Sequence, residues 1–273
     1  MIRDPCLGSR VTGHGRSRAL LLDRIDFIDL VDRIVIGVNE VNEVNPVLST
    51  VKEIAMLPFS NDVDILKYEP ALFGELHLPS QVLIRGTKAV LSGTTLTAAD
   101  ADFLAARVQA GGVISLRSAD GSLDGAFEIV SVDSATELTA SVVRPDAADP
   151  AVAPPAGGNL SYRVTTYQPQ AQEAALELTA YFGIRPGHPA GEIGIEDLLD
   201  TQGLRRASVL GVLSRVYANW SNGRKDECFW NKSLHYRRLF EKARQRCRLT
   251  VALGVDGTAE VSRVGGAIRL VRD

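Results

Sequence analysis

Residues 112–146 read GVISLRSADGSLDGAFEIVSVDSATELTASVVRPD. Runs rich in Val, Ile, Leu and Thr (Gly112–Arg117, Ala126–Val132, Glu137–Val143) are cut by the turn segments SADGSLDG and DSAT. Short strands of β-branched residues with such regular punctuation predict a small antiparallel barrel or sandwich. A further run, Leu160–Thr165, follows the Pro/Ala/Gly stretch Pro145–Gly158. That stretch reads as a long surface loop, because strand signal resumes beyond it. A short helical piece is expected over Ala98–Val108, ahead of the first strand.

Outside this stretch the signal is helical. From Ala19 to about Val38, Leu21, Leu22, Ile25, Ile28, Val31 and Val35 recur at helical steps, although Ile34-Val35-Ile36 also suits a strand. NEVNEVNPV (39–47) stops at Pro46, which disfavours helix in the residue before it. Asp62–Leu76 is expected to be helical at its end, with Pro70 in a first turn. On the other side, Gln170–Phe182, Ile195–Thr201, Leu204–Trp220 and Lys232–Leu249 combine helix formers with apolar periodicity. The ending returns to β, with strands at Leu249–Leu253, Ala259–Val264 and Ala267–Val271 and a turn at Asp256-Gly257 of the type that needs positive φ. The expected fold is α+β: a helical bundle with an inserted small antiparallel β barrel or sandwich and a C-terminal β-hairpin extension. Its parts are a flexible arm (1–18), an N-terminal helical part (19–92), the inserted β module (93–166), a C-terminal helical bundle (167–248) and a docking extension (249–273).

The 273 residues, 45% hydrophobic and 23% charged, are those of a globular chain able to bury a core. No apolar run approaches the ~20 residues needed to span a bilayer. The first residues, MIRDPCLGSRVTGHGRSR, lack the apolar core of a secretory signal, so the expected compartment is the producer's cytosol. Cys6, Cys228 and Cys247 form neither a CxxC pair nor a disulfide framework, and all are read as reduced and structural.

Catalysis finds little support. His14, His77, His188 and His235 are isolated, and none has a Cys, Asp or Glu at metal-ligand spacing. There is no GxSxG, no P-loop and no dinucleotide GxGxxG. Asp26, Asp29 and Asp32 share a helical face, a pattern that usually marks solvated surface. SADGSLDG and GVDGTAE lack the alternating ligands and final Glu of a calcium loop. No catalytic residue, metal or cofactor is therefore assigned, and a hydrolase with scattered catalytic residues is the least favoured reading.

Charge is the stronger signal. Between Gly203 and Arg248, Arg205, Arg206, Arg215, Arg224, Lys225, Lys232, Arg237, Arg238, Lys242, Arg244, Arg246 and Arg248 face only Asp226, Glu227 and Glu241, in a chain of net charge −3. Such segregation suits docking to a charged partner. On the helix NKSLHYRRLFEKARQRCRL (231–249), Tyr236, Leu239, Phe240, Ala243 and Cys247 form the apolar stripe, and basic residues take most of the rest. Few acids at i,i+4 neutralise that face, and its arginines suit bidentate pairing with carboxylate or phosphate. A solvated Lys/Arg face is the bland alternative. Trp220 and Trp230 flank the preceding loop as core or interface anchors. Candidate partner-binding residues are Arg237, Arg238, Lys242, Arg244, Arg248, Trp220 and Trp230, with Ile268, Leu270 and Arg272 in the C-terminal extension. The same helix gripping phosphates would make the chain a nucleic-acid-binding protein with steep salt dependence.

The segments ALELTAYFG (175–183), GLRRASVLGVLSRVYANW (203–220) and Asn231–Asp273 resemble proteins of tailed-phage structural clusters, in architecture the head-to-tail adaptor (head-completion) proteins of double-stranded DNA phages. The stretch 112–146 is similar to small β modules of virion proteins. The resemblance implies a non-enzymatic virion component. It would form a neck ring, a dodecamer, between portal and tail, assembled in the bacterial host cytoplasm. Implied partners are the portal protein, a tail or stopper protein and further copies of the chain, with packaged DNA passing nearby and no membrane. Another ring or decoration component of the virion is the neighbouring alternative.

Overall fold

A computed structural model describes residues 58–184, 194–195, 197–224, 227–251, 261–264 and 267–270. The arm, the helix expected over 19–38, the NEVNEVNPV segment, Asp26/Asp29/Asp32, His14, His188, Cys6, the Asp256-Gly257 turn and Arg272 lie outside these residues.

The β module is a closed barrel. Strands β1 (Val82–Ser92), β2 (Thr95–Thr97), β3 (Val113–Arg117), β4 (Asp124–Val132), β5 (Glu137–Ser141) and β6 (Gly157–Thr165) run in the order β1-β2-β5-β4-β3-β6. Every neighbouring pair is antiparallel, including β1 with β6, so no edge is left. Leu91, Leu96, Ile114, Leu116, Ile129, Leu138, Leu160, Tyr162 and Val164 belong to its core. This overturns the expected helical bundle with an inserted module: the barrel is a principal body of the chain, and β1 runs through residues read as part of a helical half. The reason lies in β1 itself. Its inward phase falls on even positions up to Gly86 and on odd ones from Ala89, because Thr87 and Lys88 are both exposed. The β1–β6 register shifts at this point, and Lys88 takes a φ of 65°. A one-residue bulge reverses the alternation and hides the strand from any period-2 test. Gly86 is needed here as well, since a Cβ would lie 2.5 Å from Tyr162 Oη on β6.

The helix expected at Ala98–Val108 is a set of turns. Asp102 Oδ1 accepts from Ala105 N–H at 2.8 Å, and Phe103 is wholly buried in the barrel core. The side-chain bond offers the backbone an alternative to helix. The loop after β5 is held by a buried pair, Arg144 Nη2 to Glu128 Oε1 at 2.6 Å, while Arg144 Nη1 donates to Asp149 O.

Before the barrel, α1 (Asp62–Leu66) starts with a capping box in which Asn61 and Asp64 bond reciprocally, and two 3₁₀ turns, Pro70–Leu72 and Pro79–Gln81, follow. This segment rests on the barrel, where Arg163 Nη2 donates to Phe73 O and Gly74 O, and Ser115 Oγ donates to Phe73 O. It also rests on the helices. Ser60 and Ser208 hydroxyls meet at 2.8 Å, and Tyr217 and Tyr236 hydroxyls donate to the Glu69 carboxylate.

After the barrel come α2 (Gln168–Phe182), α3 (Gln202–Arg224) and α4 (Glu227–Arg246). Pro169 lies in the first turn of α2, and Gly183, at a φ of 62°, caps its end. Residues 207–214 of α3 are all buried, which makes it the central helix of the group. Leu178, Phe182, Leu204, Ala207, Leu210, Phe240, Cys247 and Leu249 form the second core. The expected helix at Ile195–Thr201 is a turn closed by Leu198 N–H to Ile195 O, and Leu198 bridges to Val251. Finally β7 (Arg248–Val251), β8 (Val261–Val264) and β9 (Ala267–Leu270) form an antiparallel sheet in that order.

Cys247 is free and buried, and burial pushes its thiol up to about 11. Cys228 is disulfide-bonded, unlike the reduced thiol expected there. Among the described residues no helix is long and apolar enough to cross a membrane.

Candidate functional site

α4 presents one face to the core and a basic face outward. Phe229, Ser233 and Phe240 are buried, with Tyr236, Leu239 and Ala243 packed at the margin. The basic residues then divide into two groups with different surroundings.

One group is neutralised inside the chain. Glu177 of α2 meets Arg215 of α3 at 2.5 Å and, from α4, Arg244 at 3.0 Å and Arg237 at 3.7 Å. Arg237 also pairs with Glu241 at 3.2 Å. The Arg244 guanidinium stacks 4.3 Å from the Tyr181 ring centroid and 5.2 Å from that of Phe240. Arg237 and Arg244, expected to bind a partner, thus tie three helices together. Lys232 is held likewise, 3.6 Å from Glu69 and over the Tyr217 ring.

The other group gathers where the end of α4 meets the start of α3. The start of α3, the end of α4 and the start of β7 enclose a cleft of about 330 Å³. Its floor is Leu210, Leu239, Ala243 and Cys247, and its rim is Gly203, Arg206, Lys242, Arg246 and Arg248. The rim cations are exposed and no acid is among the described residues that line the cleft, although Asp200 lies near enough to help raise the Cys247 thiol. Arg206, Lys242 and Arg246 pair with no carboxylate among the described residues, and neither does Arg238, which lies on the same α4 stripe as Lys242 and Arg246. Cations on the last turn of a helix are ordinary, since they complement its dipole. Those near the start of α3 are less usual, because a helix N-terminus is already positive, although here Asp200 Oδ1 accepts from Gln202 N–H at 2.7 Å. Arg205 is offset by Asp64 at 3.6 Å, whereas Arg206 has no such partner among the described residues.

Of the other expected residues, Trp220 is buried, 7% exposed, with its ring 6.0 Å from that of Phe229. It is a core anchor and cannot meet a partner. Trp230 is 48% exposed and remains available. Ile268 and Leu270 lie on β9, whose one described partner is β8. Arg206 and Arg246 are the cleft residues missed as site candidates. The signal for Arg206 was in the sequence, as an Arg-Arg pair at a helix start with no acid in the first turn.

His77 is half-buried, and burial and Arg163 lower its pKa. His235 is exposed beside the Tyr236 ring. Among the described residues no group of three or more His, Cys, Asp or Glu is placed to hold a metal. Comparison with protein families, curated proteins and solved structures finds no match to this chain.

Proposed function

We propose that this chain is a non-enzymatic structural protein that forms a neck ring, between portal and tail, in a tailed phage or phage-like particle. The observation that carries the reading is the cationic cleft at the joined ends of α3 and α4. Its Arg206, Lys242 and Arg246 pair with no carboxylate among the described residues. The segments that resemble adaptor proteins fall on α2, α3, α4 and the C-terminal sheet, the same region that carries the cleft. A closed ring joins one face of each subunit to a different face of the next. A basic face in a chain of net charge −3 leaves acid elsewhere on the surface to serve as its complement. The portal and a tail or stopper protein are the other proposed partners.

Electron microscopy of the purified chain, alone and mixed with portal protein, tests this. Rings, or incorporation into portal complexes, are the expected images. Dispersed monomers in both samples would sink the reading. Tight duplex binding that weakens steeply with salt would favour the nucleic-acid alternative instead.

A further inference from the structure

We infer that the cleft between the start of α3 and the end of α4 binds an acidic peptide segment of a partner protein, with one aliphatic side chain seated on its floor. The inference rests on the docking face proposed above and adds the chemistry that the face recognises.

Three observations point to this occupant. Arg206, Lys242 and Arg246 surround the opening from two different elements and pair with no described carboxylate, so an incoming anion displaces no internal pair. Arg206 is exposed in the second turn of α3 and pairs with no described carboxylate, so an external anion can serve as its counter-charge. The floor is apolar. Leu210 and Cys247 are buried and Leu239 and Ala243 half-buried, within a volume that suits a Leu or Ile side chain rather than a whole helix. That floor decides between the two common polyanions. A nucleic-acid backbone uses cations but has no aliphatic group to bury, whereas an acidic peptide with Leu or Ile uses both rim and floor. Such a segment is held by charge at its edges, which sets orientation and on-rate, and by apolar burial at its centre, which sets residence.

The full-length chain is titrated with a fluorescent acidic peptide carrying a central Leu-Ile pair, with the same peptide carrying Ser-Ser, and with a short DNA duplex. The Leu-Ile peptide should bind about tenfold or more tightly than the Ser-Ser peptide, a gap of about 1.4 kcal/mol. Arg206→Glu, an exposed change, should abolish binding at unchanged melting temperature. Ala243→Phe should abolish it too, by filling the cleft without altering charge. Equal affinity for the two peptides, no binding of either, or tighter binding of the duplex would each overturn the inference. Ring incorporation is scored in parallel. Peptide binding lost in Arg206→Glu while rings form normally supports the cleft chemistry and removes this face from neck docking. Rings blocked by Arg206→Glu, with no peptide bound by the parent chain, keep the docking face and reject the peptide.

Discussion

Asp62 shows what a single buried charge does to this molecule. It opens α1, is 3% exposed, and its Oδ1 accepts from Tyr167 N–H at 2.7 Å. Burial pushes its pKa up from 3.8 to about 7, against the pull of the Tyr167 amide and the Thr166 hydroxyl. Between these values the native chain keeps a proton that the unfolded chain has lost. Folding stability attributable to Asp62 therefore falls as pH rises from about 4 to about 7, and the whole penalty stands above that. Asp62→Asn keeps an acceptor for Tyr167 and cannot ionise. Urea unfolding should find it more stable than the parent at pH 8, by up to about 4 kcal/mol, with the gain gone near pH 4. A gain that persists at pH 4 would show that the residue acts through packing rather than ionisation. None of this was legible from Asp62 alone: Asn61-Asp62-Val63-Asp64 reads as a polar helix start, and only the fold brings Tyr167 onto it.

At the scale of the element, α4 is tied to its neighbours by a carboxylate far away in the chain. Glu177 collects Arg215, Arg237 and Arg244, so α2, α3 and α4 share one counter-charge. Removing it leaves three guanidinium groups facing one another at partial exposure. Glu177→Ala should cost about 1–3 kcal/mol, between the cost of an exposed pair and that of a buried one. Glu177→Gln should cost less, because its amide oxygen still accepts from an arginine. Denaturant midpoints check both, and a neutral Glu177→Ala would assign the packing of these helices to their apolar faces alone. The same cluster decides which charge reversals are informative. Arg237→Glu breaks an internal tie, so lost assembly in an Arg237/Arg238 double reversal would confound docking with folding. Arg206→Glu does not carry that ambiguity. The amphipathic stripe of α4 was readable from spacing, because Tyr236, Leu239, Phe240, Ala243 and Cys247 all pack where a 3.6-residue period puts them. The use of its basic face was not, since the neutralising acid lies on another helix.

For the whole molecule, the proposed neck reading places the C-terminal sheet against a partner. The outermost strand, β9, has β8 as its one described neighbour, and an open strand edge is a template for another chain. Deleting residues 265–273 removes β9. The truncated chain should keep its helical circular dichroism and fail to enter portal complexes in a co-sedimentation assay. Normal entry would clear the sheet of any docking role and leave the cleft to account for attachment.

What the sequence determined by itself was local: the runs that became β3 to β6, the cores of α2, α3 and α4, the strand-rich ending, and the excess of cations between Gly203 and Arg248. Each depends on spacing within one segment, and spacing survives in the linear chain. Tertiary structure decided three further matters. It closed the barrel through β1, whose bulge at Thr87-Lys88 scrambles the period that would have announced it. It buried Trp220 against Phe229 and tied Arg237 and Arg244 to Glu177, partners supplied by other elements. It also gathered Arg206, Lys242 and Arg246, which pair with no described carboxylate, around an apolar floor. Barrel closure, neutralisation and a cleft are relations between residues distant in the chain, so no periodicity encodes them.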